Sequence, residues 1–133
     1  MRLLLDTHAL LWWLDDNPAL GPHARGLIAD PSSDILVSVV SLWELVIKVR
    51  IGKLKADING VIAEIDSQGF VMLGIRAPHL AALAVLPKHH RDPFDHMLMA
   101  QALAEGATFV SEDRNVALYP IPSLACSATI SAF

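Results

Sequence analysis

The sequence of 133 residues has one cysteine, Cys126, so no disulfide can close within the chain, and such sparing use of thiols suits a cytosolic protein. Long apolar runs are missing too: residues 10–14 and 35–43 are too short or too interrupted to span a bilayer, which predicts no membrane segment. Only three leucines lie between Arg2 and Asp6, so no secretory leader core is expected there. Net positive charge is absent as well. Ten Lys and Arg against 14 Asp and Glu leave a formal charge of -4, the reverse of the basic footprint usual in proteins that bind nucleic acid. The six histidines show no zinc-ligand spacing and are expected to be surface or internally satisfied residues. The chain also has no glycine-rich phosphate cradle and no serine nucleophile elbow, which argues against a nucleoside triphosphatase or an α/β-hydrolase.

What is present is apolar material in periodic blocks. A hydrophobic share of 53% is enough for one domain over residues 1–133 with a real core, and high enough that some apolar surface should meet a partner. Short apolar or β-branched runs at residues 2–5, 35–40, 70–75 and 108–111 read as buried strands. Helical patterns fill the intervals at 7–16, 22–29, 41–50, 57–66, 77–86 and 93–105. Pro120 and Pro122 leave room only for a short edge strand near Ile121, and the tail beyond Ser127 is weakly specified. Alternating strands and helices predict a parallel sheet with right-handed crossovers and helices on both faces, an α/β/α sandwich.

In that architecture the strand carboxyl ends share one edge, where ligands bind. Asp6 and Asp113 follow strands, while Glu44 and Asp95 fall in opening turns of helices, so all four can face one crevice. Ordinary structural roles compete for each. Asp92 reads as the cap of the helix that Pro93 opens, Asp113 can cap the turn 114–118, and Ser41 with Glu44 matches a capping box. Lys48, four positions after Glu44, supplies a helix-surface ion pair. Clustered carboxylates raise one another's pKa unless a cation neutralises them, and Mg²⁺ or Mn²⁺ is the natural occupant of an all-oxygen site. Such an ion eases deprotonation of water and stabilises charge on a phosphoryl group, which suits phosphodiester hydrolysis without a covalent nucleophile. Lys48, Arg50, Lys53 and Lys55, within eight positions, are the candidates for guiding an RNA backbone.

These stretches, taken together, resemble the PIN-domain ribonucleases and, among them, the VapC toxins of bacterial toxin-antitoxin pairs. The resemblance runs through Leu3-Leu4-Leu5-Asp6-Thr7-His8, Ser38-Val39-Val40-Ser41-Leu42-Trp43-Glu44, His89-His90-Arg91-Asp92-Pro93-Phe94-Asp95 and Val110-Ser111-Glu112-Asp113. It implies an Mg²⁺- or Mn²⁺-dependent endoribonuclease with Asp6 and Asp95 as direct ligands. Glu44 and Asp113 would hold water on the ion or a second ion. Thr7 and Ser111 match hydroxyl positions that steady the site, and Asp92 adds an outer contact to its role as cap. His96 stands where a basic residue is common, and Glu112 adds negative charge beside Asp113.

The resemblance further implies a homodimer and a small VapB-like antitoxin that covers the site, inserting a basic side chain among the carboxylates. Trp12, Trp13 and Trp43 are candidates for such contacts; at least one of the adjacent Trp12 and Trp13 is expected to pack away from the principal core, and Trp43 to join a core. Two other classes keep the fold: a Mg²⁺-binding signalling receiver, and an inactive binding module. A receiver wants a lysine after a late strand, and residues 112–114 are Glu, Asp and Arg.

Overall fold

In the computed structural model, residues 1–129 are described; the last four of the weakly specified tail lie outside the described residues. Five strands, β1 (Arg2–Leu5), β2 (Asp34–Ser38), β3 (Val71–Leu73), β4 (Thr108–Val110) and β5 (Ser123–Leu124), form one sheet in the order β3-β2-β1-β4-β5. Every pairing is parallel, with Leu3 opposite Ile35 on one side and Thr108 on the other. β1 is therefore central. Its three leucines are fully buried because helices cover both faces, and alternate residues split between two cores. Leu3, Leu5, Ile35 and Val37 pack with Leu10 of α1 (Thr7–Leu14), Ile28 of α2 (Pro22–Ala29) and Ile65 of α4 (Ile58–Ser67). Leu4, Leu36 and Phe109 pack with Leu98 and Met99 of α6 (Pro93–Glu105). This is the α/β/α sandwich that the alternating pattern predicts. Among the described residues no helix is long and apolar enough to cross a membrane.

α6 packs against α3 (Val39–Arg50) and α5 (Ala77–Val85) as well as β1 and β4, which explains its unbroken buried stretch from Leu98 to Ala102. Gln101 fits there because its amide is used: it accepts from Ser38 Oγ and donates to the Gly74 carbonyl. Gly106 ends α6 at φ 63°, ψ 35°, a left-handed cap with open space where a Cβ would stand. Gly106→Ala therefore adds backbone strain and no clash. It should lower unfolding stability by about 1 kcal/mol, read from a denaturant midpoint shift.

Three local expectations change. α3 begins at Val39, two residues early, because the Ser38 hydroxyl accepts from the Val40 N–H. Ser41 then lies inside the helix with a buried hydroxyl that has no partner among the described residues, so the Ser41–Glu44 capping box does not form and Glu44 lies in the second turn. The last strand forms at Ser123–Leu124, because Ile121 is drawn into the core beside Tyr119. Trp12 and Trp13 both pack, half-buried, against the core that holds Leu10, so neither packs away from it.

Candidate active site

β1 and β4 are neighbours whose outgoing connections leave toward opposite sides of the sheet, the geometry that opens a crevice at the strand carboxyl ends. A pocket of about 320 Å³ lies there, walled by Asp6, Glu44, Asp92, Asp95, Glu112 and Asp113, with Thr7, His8 and Trp12 completing it. Asp6 leaves β1 as the N-cap of α1: its carboxylate accepts the Ala9 N–H at 2.7 Å and a hydrogen bond from Ser111. Ser111 in turn accepts the Asp113 N–H at 3.1 Å, which ties the end of β4 to the end of β1. Thr7 donates to Glu44 Oε1 at 2.6 Å, and Lys48 Nζ stands 3.0 Å from Glu44 Oε2. Asp92 caps α6, accepting from Phe94 and Asp95 N–H groups, so that Asp95 in the first turn points into the pocket.

Crowding of these acids alters their protonation. Burial pushes the Asp6 carboxyl above its ordinary range. Asp95 is pushed up to about 8, first by burial, then by its hydrogen bond to Asp113 and by the charges of Asp92, Asp113 and Asp6. Burial also disfavours ionised Asp113, but hydrogen bonds from Asn115 and from Asp95 outweigh it and hold that carboxyl low. At neutral pH, then, Asp95 is the proton-bearing member of a shared pair and Asp113 the anion. A divalent cation fits this donor set, since it would supply the positive charge for which a proton now substitutes. Ligand atoms of His90, Asp95 and Asp113 lie within 4.8 Å of one another, while Asp6 and Glu44 line the same pocket outside that trio.

Not every predicted residue gathers here. Lys48 reaches the pocket rim through Glu44, but Arg50, Lys53 and Lys55 stand on exposed surface at and beyond the end of α3 and do not line the pocket. Glu112 spends its carboxylate on the Ser127 N–H and hydroxyl, which fastens the chain after β5. Cys126 is sealed in the core, where burial and the charges of Asp6 and Glu112 push its thiol up to about 12, so it is no nucleophile. Trp43 is 58% exposed, edge-on to Phe94, and joins no core.

His90 was not among the sequence candidates, yet its Nε2 lies 3.3 Å from Asp95 Oδ2. What orients it is Tyr119, 29 positions away, whose hydroxyl meets His90 Nδ1 at 2.7 Å. No local spacing announces such a contact. His79 is satisfied internally, between the Arg76 N–H and Glu105, as expected.

A profile of the PIN domain family matches residues 3–121. No curated protein matches the sequence. Among solved structures the chain is similar to VapBC2 from Rickettsia felis, solved bound to a promoter DNA fragment, at 18% identity and TM-score 0.73, covering 94% of this chain and 98% of that one. It is also similar to DNA-bound VapBC from Salmonella typhimurium (18% identity, TM-score 0.65, 95% and 98% covered). VapBC-5 from Mycobacterium tuberculosis, a member of a toxin-antitoxin family, matches at 20% identity and TM-score 0.59, with 96% and 98% covered. At these identities the structures establish a shared fold, and the profile, spanning nearly all the strands and helices that build the acidic pocket, establishes kinship: the chain belongs to the PIN domain family.

Proposed function

We propose that this chain is a divalent-metal-dependent endoribonuclease, the toxin of a VapBC-type pair, acting in the cytoplasm as a homodimer and restrained by a VapB-like antitoxin. The observation that carries this reading is the gathering of Asp6, Glu44, Asp95 and Asp113 in one pocket at the strand carboxyl edge, where burial and the neighbouring carboxylates disfavour ionised Asp95. A bound Mg²⁺ or Mn²⁺ supplies charge neutralisation, polarisation of the phosphoryl oxygens and easier deprotonation of the attacking water. Asp6, Asp95 and Asp113 would hold such an ion, Asp95 giving its proton to solvent. Glu44, fixed by Thr7 and Lys48, orients water at the pocket wall, and Ser111 keeps Asp6 and the Asp113 backbone in register. Asp92 fixes the first turn of α6 and so aims Asp95. The solved VapBC complexes support an antitoxin partner, and exposed Trp43, Ile75, Leu80 and Val85 provide apolar surface for protein contacts. Cleavage of single-stranded RNA by the purified chain with Mg²⁺ or Mn²⁺, absent in Asp6→Ala, is expected; equal inactivity of both on total cellular RNA contradicts the reading.

Lys53 and Lys55 are assigned to backbone guidance from outside the pocket. Replacing both with Ala should weaken RNA binding and lower the slope of log affinity against log salt by about 1.4, at ~0.7 per charge for single strands, without lowering metal affinity. An unchanged slope would leave this stretch as solvated surface.

A further inference from the structure

Three rings, His90, His96 and Tyr119, pack against one another, and His90 Nε2 lies 3.3 Å from Oδ2 of the pocket residue Asp95. We infer that His90, through Nε2, joins Asp95 and Asp113 as a ligand of the divalent ion, that Tyr119 positions it, and that the site consequently favours Mn²⁺ over Mg²⁺. This rests on the reading of the pocket as a metal site and adds a nitrogen ligand to what that reading takes as an all-carboxylate set.

The geometry is already close to coordination. Adjacent ligands of an octahedral ion with bonds of about 2.1 Å stand about 3 Å apart and opposite ones about 4.2 Å. Ligand atoms of His90, Asp95 and Asp113, all within 4.8 Å of one another, need move little to share one ion. The ring of His90 is held rather than free: its side chain is 11% exposed, and Nδ1 lies 2.7 Å from the Tyr119 hydroxyl. That hydroxyl is itself fixed, since Tyr119 is buried and its oxygen accepts the N–H groups of His89 at 2.9 Å and His90 at 3.2 Å. Metal-binding histidines commonly rest their second ring nitrogen on such an outer partner, which sets tautomer and orientation.

Tyr119 can serve both states because His96 Nε2 lies 3.2 Å from the same oxygen. With the phenolic proton on the His90 side, His90 bears its proton on Nε2 and donates to Asp95. With that proton turned to His96, His90 bears its own on Nδ1, donates it to the Tyr119 oxygen in place of the longer 3.2 Å contact from the His90 backbone N–H, and presents the Nε2 lone pair toward Asp95 and Asp113. No proton is created or lost in the exchange between the two rings' arrangements; only the Asp95 proton leaves to solvent. An imidazole in the set selects against Mg²⁺, which prefers oxygen, and for first-row transition ions.

Pulsed EPR of the full chain loaded with Mn²⁺ tests this. A nitrogen coupling from a directly bound imidazole is expected, changed to its ¹⁵N form by labelled histidine, and lost in His90→Ala. By calorimetry, His90→Ala and Tyr119→Phe should each weaken Mn²⁺ binding about 10-fold or more while changing Mg²⁺ affinity by less than about twofold. A wild-type spectrum without nitrogen coupling overturns the assignment by itself, and His90→Gln takes the place of His90→Ala if the alanine variant does not fold. If Mn²⁺ binds in a manner that Asp6→Asn weakens, but no nitrogen coupling is seen, the inference falls and the carboxylate site stands. If the coupling persists in His90→Ala, the ligand is another histidine, such as His8 on the pocket wall, and the inference again falls. If Mn²⁺ does not bind the pocket at all, both the inference and the metal-site reading fall.

Discussion

Asp95→Asn should lower RNA cleavage by about 10³-fold or more, the scale of removing a group that holds charge at a reacting centre, and should at the same time make the metal-free protein more stable at pH 8. The second half follows from the direction of the Asp95 shift. The folded-state pKa is raised to about 8 against an ordinary value of 3.8, so between those pH values the folded chain retains a proton that the unfolded chain has released. Stability from this group is fully present below about pH 4 and is lost as pH rises through about 8. Asparagine cannot ionise and can still donate to Asp113 through its amide, so the variant keeps the contact and escapes the loss. Thermal melts of both proteins in chelator from pH 5 to 9 read the difference. Parallel pH profiles, or a variant less stable at pH 8, would contradict this account of the pocket.

Divalent ions should reverse the same loss. Because binding must displace the Asp95 proton at neutral pH, apparent affinity should rise by up to about tenfold per pH unit and level off near pH 8. At an ion concentration of about 100 times the dissociation constant the gain is about 2.7 kcal/mol, or roughly 10 °C in melting temperature for a chain of this size, and a chelator should abolish it. At a fixed ion concentration the gain should be larger at pH 8 than at pH 6. A shift independent of pH would mean that the ion does not displace the Asp95 proton. Calorimetry in buffers of different ionisation heat gives the proton count directly, close to one at pH 7.

Much of this arrangement was legible in the sequence because it depends on local order. Leu3-Leu4-Leu5 followed by Asp6, and Pro93 preceded by Asp92, mark a strand end and a helix start without reference to anything distant. Parallel topology then carries the consequence, since a strand and its two neighbours must present their carboxyl ends together. What was not legible depends on contacts across the fold. Ser41 and Glu44 have capping-box spacing, but the Ser38 hydroxyl captures the helix start and Thr7, 37 positions away, captures Glu44. Trp43 is exposed because the inner positions around it fall to Val40 and Leu45. His90 looked like one more surface histidine until Tyr119 came back from beyond β4 to hold it. Lys48 and Lys53 look equivalent in a charge run, yet only Lys48 lies on the face of α3 that turns toward the acids.

The proposed chemistry requires one divalent ion sitting among Asp6, Asp95 and Asp113. An anomalous difference map from a Mn²⁺-soaked crystal addresses it directly. It should show a peak within about 2–2.5 Å of carboxylate oxygens from these residues at the carboxyl edge of β1 and β4. A featureless pocket in a crystal whose Mn²⁺ peaks lie only on the outer surface would contradict it.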